Sequence, residues 1–306
     1  MTKWKRLSAL GLVVLAFGGK AEGGYVVYSD GGYYSLSSAT SDHFGVTKGS
    51  TFSVLAGASI TPTAGAQYGD AAIFGNSGTI LVSGGAVTGG SSSPSVYGGG
   101  DGIIVIGPAI STTITGGTIT GGAGISGGTG FSLLQAGPTT ISGGTITGGK
   151  GTLFESQGGA AIVYQAGSPL IITGGTFAGG GTTGPVPIPS PSLLDQGLGN
   201  IEVSGGQFLS EIVLSASYGV GRLDFFGTGL SYANGLITGT LSNGDSIHQS
   251  LIITNVAGET TTVVYDAAKG ELSFLSAPTT VPEPASIALI ALGLGGASLV
   301  ARSRRN

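Results

Sequence analysis

A hydroxyl residue followed by two glycines recurs five times in this chain, at Ser83-Gly84-Gly85, Thr115-Gly116-Gly117, Ser142-Gly143-Gly144, Thr173-Gly174-Gly175 and Ser204-Gly205-Gly206. Successive pairs lie 32, 27, 31 and 31 residues apart, the length of one supersecondary unit rather than of a domain. Two positions before the first glycine of each pair stands Val82, Ile114, Ile141, Ile172 or Val203, β-branched every time. Beyond the pair, a small or polar residue (Ala86, Thr118, Thr145, Thr176 or Gln207) is followed by Val87, Ile119, Ile146, Phe177 or Phe208. Alternation about a fixed glycine corner is the two-residue period of short strands. An earlier apolar stretch opens each unit: Ala72-Ile73-Phe74, Ile103-Ile104-Val105, Ser132-Leu133-Leu134, Ala161-Ile162-Val163 and Leu193-Leu194.

No helical period intervenes, so each unit reads as one turn of a coil. One unit cannot bury its apolar side, but units stacked about 4.8 Å apart share a continuous core. The expected fold of the body is therefore all-β, a right-handed parallel β-helix (solenoid), with five clear units and degenerate ones on either side forming a rod roughly 30 Å long. The corner glycines supply positive φ and leave room where a stacked layer would meet Cβ atoms. The hydroxyl before each pair is expected to form an external ladder or to cap the turn. Other glycine runs, such as Gly89-Gly90 and Gly179-Gly180-Gly181, read as loops thrown out from one edge. Pro185, Pro187, Pro189 and Pro191 make one of them a stiff, extended spacer. From Tyr218 the pattern changes to longer alternating strands around an Asn243-Gly244 turn, expected to be further coils or a β cap over the open end. Tyr25 to Tyr28 and Tyr33-Tyr34 start or cover the first coil.

Composition narrows what such a body can do. Glycine makes up 62 of 306 residues and charged residues only 8%, unlike an ordinary globular domain or a charged disordered chain. There is no cysteine, so stability outside the cytoplasm must come from packing and hydrogen bonds. Between Glu22 and Thr280, 14 carboxylates face Lys48, Lys150, Arg222 and Lys269, a charge near −10 that argues against nucleic acid or anionic headgroups as partners. The glycine runs lack the strand-turn-helix unit of a phosphate site, and no cofactor is expected. Asp70 and Asp101 head successive units, 14 and 15 residues before the next glycine pair, but no third carboxylate or basic residue joins them. They read as solvated turn residues rather than as an acid and base pair or Ca²⁺ ligands. His43 and His248 read as surface residues with no metal-binding spacing. No catalytic or metal-binding residue is assigned, and the body is expected not to be an enzyme.

The two ends speak about destination. Lys3, Lys5 and Arg6 precede an apolar run from Leu7 to Gly19, and Gly19-Lys20-Ala21 offers small residues for signal peptidase, so 1–21 reads as a secretory signal cut near Ala21. At the far end, Pro282-Glu283-Pro284 is followed by an apolar stretch and then by Arg302, Arg304 and Arg305. Ala285 to Ala301 is 17 residues. As a helix it would measure about 26 Å against a hydrocarbon core of about 30 Å, so a single C-terminal transmembrane helix is expected. The trailing arginines would keep its end cytoplasmic. Pro282 and Pro284 hold Glu283 on an extended segment.

This tail resembles the PEP-CTERM sorting signal of Gram-negative bacteria. The strand-rich stretch with a Gly-x-Gly motif before it is similar to what often precedes that signal. The resemblance implies an exosortase that reads Pro282, Glu283 and Pro284 at the inner membrane. It implies export, anchorage in the inner membrane by the C-terminal helix, transient or retained, and then a place at the cell surface or in the extracellular matrix. The chain thus divides into a signal peptide (1–21), an N-terminal cap and first coil (22–70), glycine-rich solenoid repeats (71–217), C-terminal coils or cap (218–280) and a sorting tail (281–306). The function expected is structural or adhesive, in association with exopolysaccharide or biofilm. The alternatives are a β-helix polysaccharide lyase or hydrolase working through Asp70 and Asp101, and a carbohydrate-binding module.

Overall fold

The computed structural model describes residues 25–62, 71–92, 98–152, 157–182, 190–196, 199–215, 221–255 and 259–278. The chain winds as an all-β solenoid of the right-handed β-helix type, three strand segments to a coil. The first coil holds β1 (Tyr25–Tyr28), β2 (Tyr33–Leu36) and β3 (Ala39–Thr40), and the second β4 (His43–Val46), β5 (Thr51–Val54) and β6 (Ser59–Ile60). Later coils fuse two segments into one bent strand. They comprise β7 (Ile73–Val82) with β8 (Ala86–Thr88), β9 (Ile103–Ile114) with β10 (Thr118–Thr120), and β11 (Phe131–Leu133) with β12 (Thr139–Thr147). Then follow β13 (Ile162–Tyr164) with β14 (Leu170–Ala178), β15 (Leu193–Asp195) with β16 (Asn200–Phe208), and β17 (Ile212–Ser215) with β18 (Arg222–Ala233). The chain closes with β19 (Leu236–Leu241), β20 (Ser246–Thr254), β21 (Glu259–Asp266) and β22 (Glu271–Pro278).

Three parallel columns result. The first column stacks β1, β4, β7, β9, β11, β13, β15, β17 and β20. Eight steps of about 4.8 Å make it roughly 38 Å tall. The second stacks β2, β5, β7, β9, β12, β14, β16 and β18. The third stacks β3, β6, β8, β10, β12, β14 and β16. The register is the one the repeats predict: Val82 lies beside Ile114, Ile114 beside Ile141 and Ile141 beside Ile172. All four are buried, as are Val87, Ile119, Ile146 and Phe177 of the third column. Each such side chain contributes roughly 1.5–3 kcal/mol on leaving water, and three columns place several in every layer.

The second glycine of each pair turns the corner from the second column to the third. Gly144, for example, has φ of 87°, and a Cβ there would sit 2.9 Å from the Gly116 and Gly117 carbonyl oxygens of the coil below. A side chain would be strained by the backbone angle and blocked by the neighbour at once.

The glycine runs expected to be outlying loops form a second packed system. Five residues after the first glycine of four of the five corner pairs, another glycine pair leaves the third column, and after three of these a further pair brings the chain back to the first. The outgoing and returning pairs lie against each other as a seam. A single relay of backbone hydrogen bonds runs through it, from Gly180 N–H to Gly159 O, then Gly159 to Gly149, Gly149 to Gly128, Gly128 to Gly122, Gly122 to Gly100 and Gly100 to Gly90, each 2.7–2.9 Å. Contact is backbone to backbone, so Cβ atoms have no place: one built on Gly148 would stand 1.8 Å from the Gly159 oxygen. The roots of the supposed loops are thus part of the packed body.

Beyond the last coil the hand of pairing changes. β18 runs on to pair antiparallel with β19, and β19 with β20, while β22 lies antiparallel on β18 and carries β21 on its other edge. The Asn243-Gly244-Asp245 turn sits where the next glycine corner would have stacked. Asn243 N–H donates to Ser204 O (3.0 Å), and Gly206 N–H donates to the Asp245 carboxylate (2.8 Å). Hydrogen bonds from the Asn243 amide and from Gly206 N–H hold the Asp245 carboxyl below its ordinary pKa.

One expectation is corrected. Every element among the described residues is a strand, and no helix there is long and apolar enough to cross a membrane. A span requires about 20 apolar residues whose backbone bonds close within one helix, and the described backbone closes its bonds between coils instead. The described residues thus give the expected transmembrane helix, and the inner membrane as partner and anchor, no support; the segment expected to form it, 285–301, is not among them. Residues 279–306 lie outside the described residues, as do 1–24.

Candidate functional site

The middle residue of each first-column strand points outward, and the register brings these residues into one axial row. From the N-terminal end it reads Val27, Gly45, Phe74, Ile104, Ser132, Val163, Leu194, Val213 and Ile252. None is charged and seven are large and apolar, although they face away from the core. The third column is different, for its outward positions are Thr118 and Thr120 stacked on Thr145 and Thr147. An outward apolar row on one face only is a sign of a binding surface rather than of core packing.

Along Val163, Leu194 and Val213 this row forms the floor of a groove of about 500 Å³. These three side chains are half-buried. Gln157, Thr129, Ser126, Ser190 and Glu211 line its sides, together with the seam glycines Gly127, Gly158 and Gly159. The seam glycines thus form part of the groove beside the strand face. Among the described residues no lysine or arginine lines the groove, and Glu211 is the one carboxylate that does. Ser190 takes the place of the returning glycine in its coil; it is 3% exposed, and its hydroxyl has no hydrogen-bond partner among the described residues.

Residues singled out in the sequence fall elsewhere. Asp101 heads its coil as expected but is not a solvated turn residue: its carboxylate accepts from Thr129 N–H (2.8 Å) and from the Ser132 hydroxyl (2.6 Å), tying one coil to the next. Burial outweighs these two bonds and pushes its pKa up. Asp70 lies outside the described residues, as do Pro282, Glu283, Pro284, Arg302, Arg304 and Arg305. His43 is 6% exposed, not a surface residue, and its Nδ1 lies 3.0 Å from Ala71 O. His248 is exposed, as expected. Among the described residues no group of His, Asp and Glu is placed to hold a metal ion.

The raised Asp101 pKa has a testable sign. A carboxyl whose folded pKa exceeds its unfolded one favours the fold while protonated, and that contribution is lost as pH rises through the folded value. Asp101→Asn preserves the shape but cannot ionise. Urea unfolding from pH 3.5 to 7 should find the variant gaining on the wild type as pH rises and then running parallel. Curves parallel throughout would remove Asp101 as the cause.

The groove residues were within reach of the sequence. Ile103-Ile104-Val105 and Ile212-Val213-Leu214 are apolar at three consecutive positions, which strict alternation forbids unless the outward residue is also to meet something apolar. Ser190 and Glu211 had no such signal, since only the winding brings them to the groove.

What fold and groove define is a cysteine-free β-solenoid with an apolar row along one axial face. Residues 280–305 of the same chain match the PEP-CTERM protein-sorting motif. The solenoid body gives no match among curated proteins or solved structures.

Proposed function

We propose that this protein is an exported, non-enzymatic solenoid, sorted by an exosortase that reads Pro282-Glu283-Pro284, and that it serves as a structural or adhesive component of the cell surface or extracellular matrix. The observation that carries the reading is the PEP-CTERM motif at 280–305 behind a β-solenoid body. A rod about 38 Å tall, held by repeated layers and without disulfides, suits a part that spans and contacts rather than one that turns over substrate.

The test is the location and C-terminal mass of the protein in cells with and without a working exosortase. With the enzyme, the protein should reach the surface or medium with a C-terminus shortened near residue 284. Without it, the tail should stay intact and the protein should be missing from the surface. Identical location and mass in both strains would end the sorting reading.

A further inference from the structure

We propose that the groove floored by Val163, Leu194 and Val213 holds a single chain of an uncharged, polyhydroxylated polymer, a neutral glycan lying along the solenoid axis; this rests on the exported, non-catalytic reading above. Shape comes first. The groove is a concavity of about 500 Å³ between strand face and seam, in which a slender chain can lie. Its floor repeats one apolar side chain per rung, as the pairing of Val163 with Leu194 and of Leu194 with Val213 requires. The apolar C–H face of a sugar ring can rest on such a floor while its hydroxyls turn to the walls.

The walls select the class of polymer. Among the described residues they offer hydroxyls from Ser126, Thr129 and Ser190, the Gln157 amide and one carboxylate, and no cation. A polyanion would meet Glu211 without compensation, inside a body already near −10. A polyol meets donors and acceptors on both sides. The Ser190 hydroxyl is the sharpest indication, for it is 3% exposed, stands in the groove wall and has no partner among the described residues. Buried hydroxyls are otherwise hydrogen-bonded, and a ligand hydroxyl would complete this one.

An extended peptide fits less well. Strand addition needs a free edge of backbone groups. The N–H groups here are taken between coils: Gly127 donates to Gln157 O (3.0 Å), Ala161 to Pro191 O (3.0 Å) and Ser192 to Glu211 O (2.9 Å). What the groove has left to offer is side-chain chemistry.

Affinity electrophoresis of the full exported chain, in native gels cast with hydroxyethylcellulose, dextran or galactomannan as neutral probes, with alginate as the anionic one and with gelatin as the peptide one, tests this. At least one neutral polymer should retard the wild type, and alginate and gelatin should not. Leu194→Asp should abolish retardation, Ser190→Ala should weaken it about three- to tenfold, and Thr140→Asp on the second column should leave it unchanged, circular dichroism confirming the fold of each. No retardation by any neutral probe, equal retardation in alginate, retardation by gelatin alone, or binding that survives Leu194→Asp would each overturn the groove assignment. Those results leave sorting untouched. Shortening of the retarding polymer by wild-type protein would instead count against the non-catalytic reading on which the assignment rests.

Discussion

Gly148→Ala is expected to lower the stability of the solenoid by about 3–4 kcal/mol, seen as a fall in the urea midpoint. The added methyl would stand 1.8 Å from the Gly159 carbonyl oxygen, and contacts under 3.0 Å are essentially never seen for a real Cβ. That oxygen cannot step aside freely, because it accepts the Gly180 N–H at 2.7 Å. It would have to withdraw by more than 1 Å, pulling the returning segment away and breaking the relay on both sides. Overpacking of this kind costs about 1–3 kcal/mol, and a lost buried backbone bond adds about 1 kcal/mol. Gly181→Ala is the control: nothing lies within 4 Å of its Cβ position, and its φ is not positive. There the loss of unfolded-state freedom should dominate, leaving stability unchanged or raised by up to about 1 kcal/mol. If the two variants melted alike, the seam would be dispensable.

Arg222→Ala should cost about 2–3 kcal/mol through the cap. Arg222 Nε lies 2.7 Å from the Asp224 carboxylate, and its Nη2 donates to Glu271, which also accepts the Ser273 hydroxyl at 3.0 Å. The carboxylate side chains are 6% and 7% exposed, whereas the arginine is 40% exposed. Removing it would leave the Asp224 carboxylate without its cation and Glu271 with only the exposed Lys269, 3.9 Å away. Breaking a fully buried pair costs about 3–5 kcal/mol, and the half-open arginine brings the figure down through solvent screening. Arg222→Ala combined with Glu271→Gln should cost less than the sum of the single changes. A loss below about 0.5 kcal/mol would make the cluster an ordinary surface pair, with the cap held by its strands alone.

The body of the fold was readable because its inward residues recur at a fixed distance from a visible marker. Ile114, Ile141 and Ile172 each precede a hydroxyl and two glycines, and stacking is the one arrangement that buries them together. The seam was not readable for the opposite reason. Glycine pairs such as Gly121-Gly122 have no side chain to betray a face, so a packed backbone and a flexible linker look alike in sequence. Asp101 and His43 were misplaced because nothing local distinguishes a coil's first residues from a turn. Their burial comes from the coil above, 28 residues away in both cases. The groove lay between these cases: its apolar floor was written in adjacent apolar residues such as Leu193-Leu194 and Ile212-Val213, while its polar walls came together only by winding.

The seam also accounts for the one irregular step in the repeat. From Gly90 to Gly100, from Gly149 to Gly159 and from Gly180 to Ser190 the chain takes ten residues to leave and return, but from Gly122 to Gly128 only six. The 27-residue unit is short by this excursion, while its three columns keep their register with the coils on either side. Most of the variation in length thus falls along one line, although the step from first to second column also differs, seven residues from Gly75 to Val82 against nine from Val105 to Ile114. Peptides inserted between Gly149 and Gly158 should be displayed in a row beside the groove, with each rung serving as a separate mounting point.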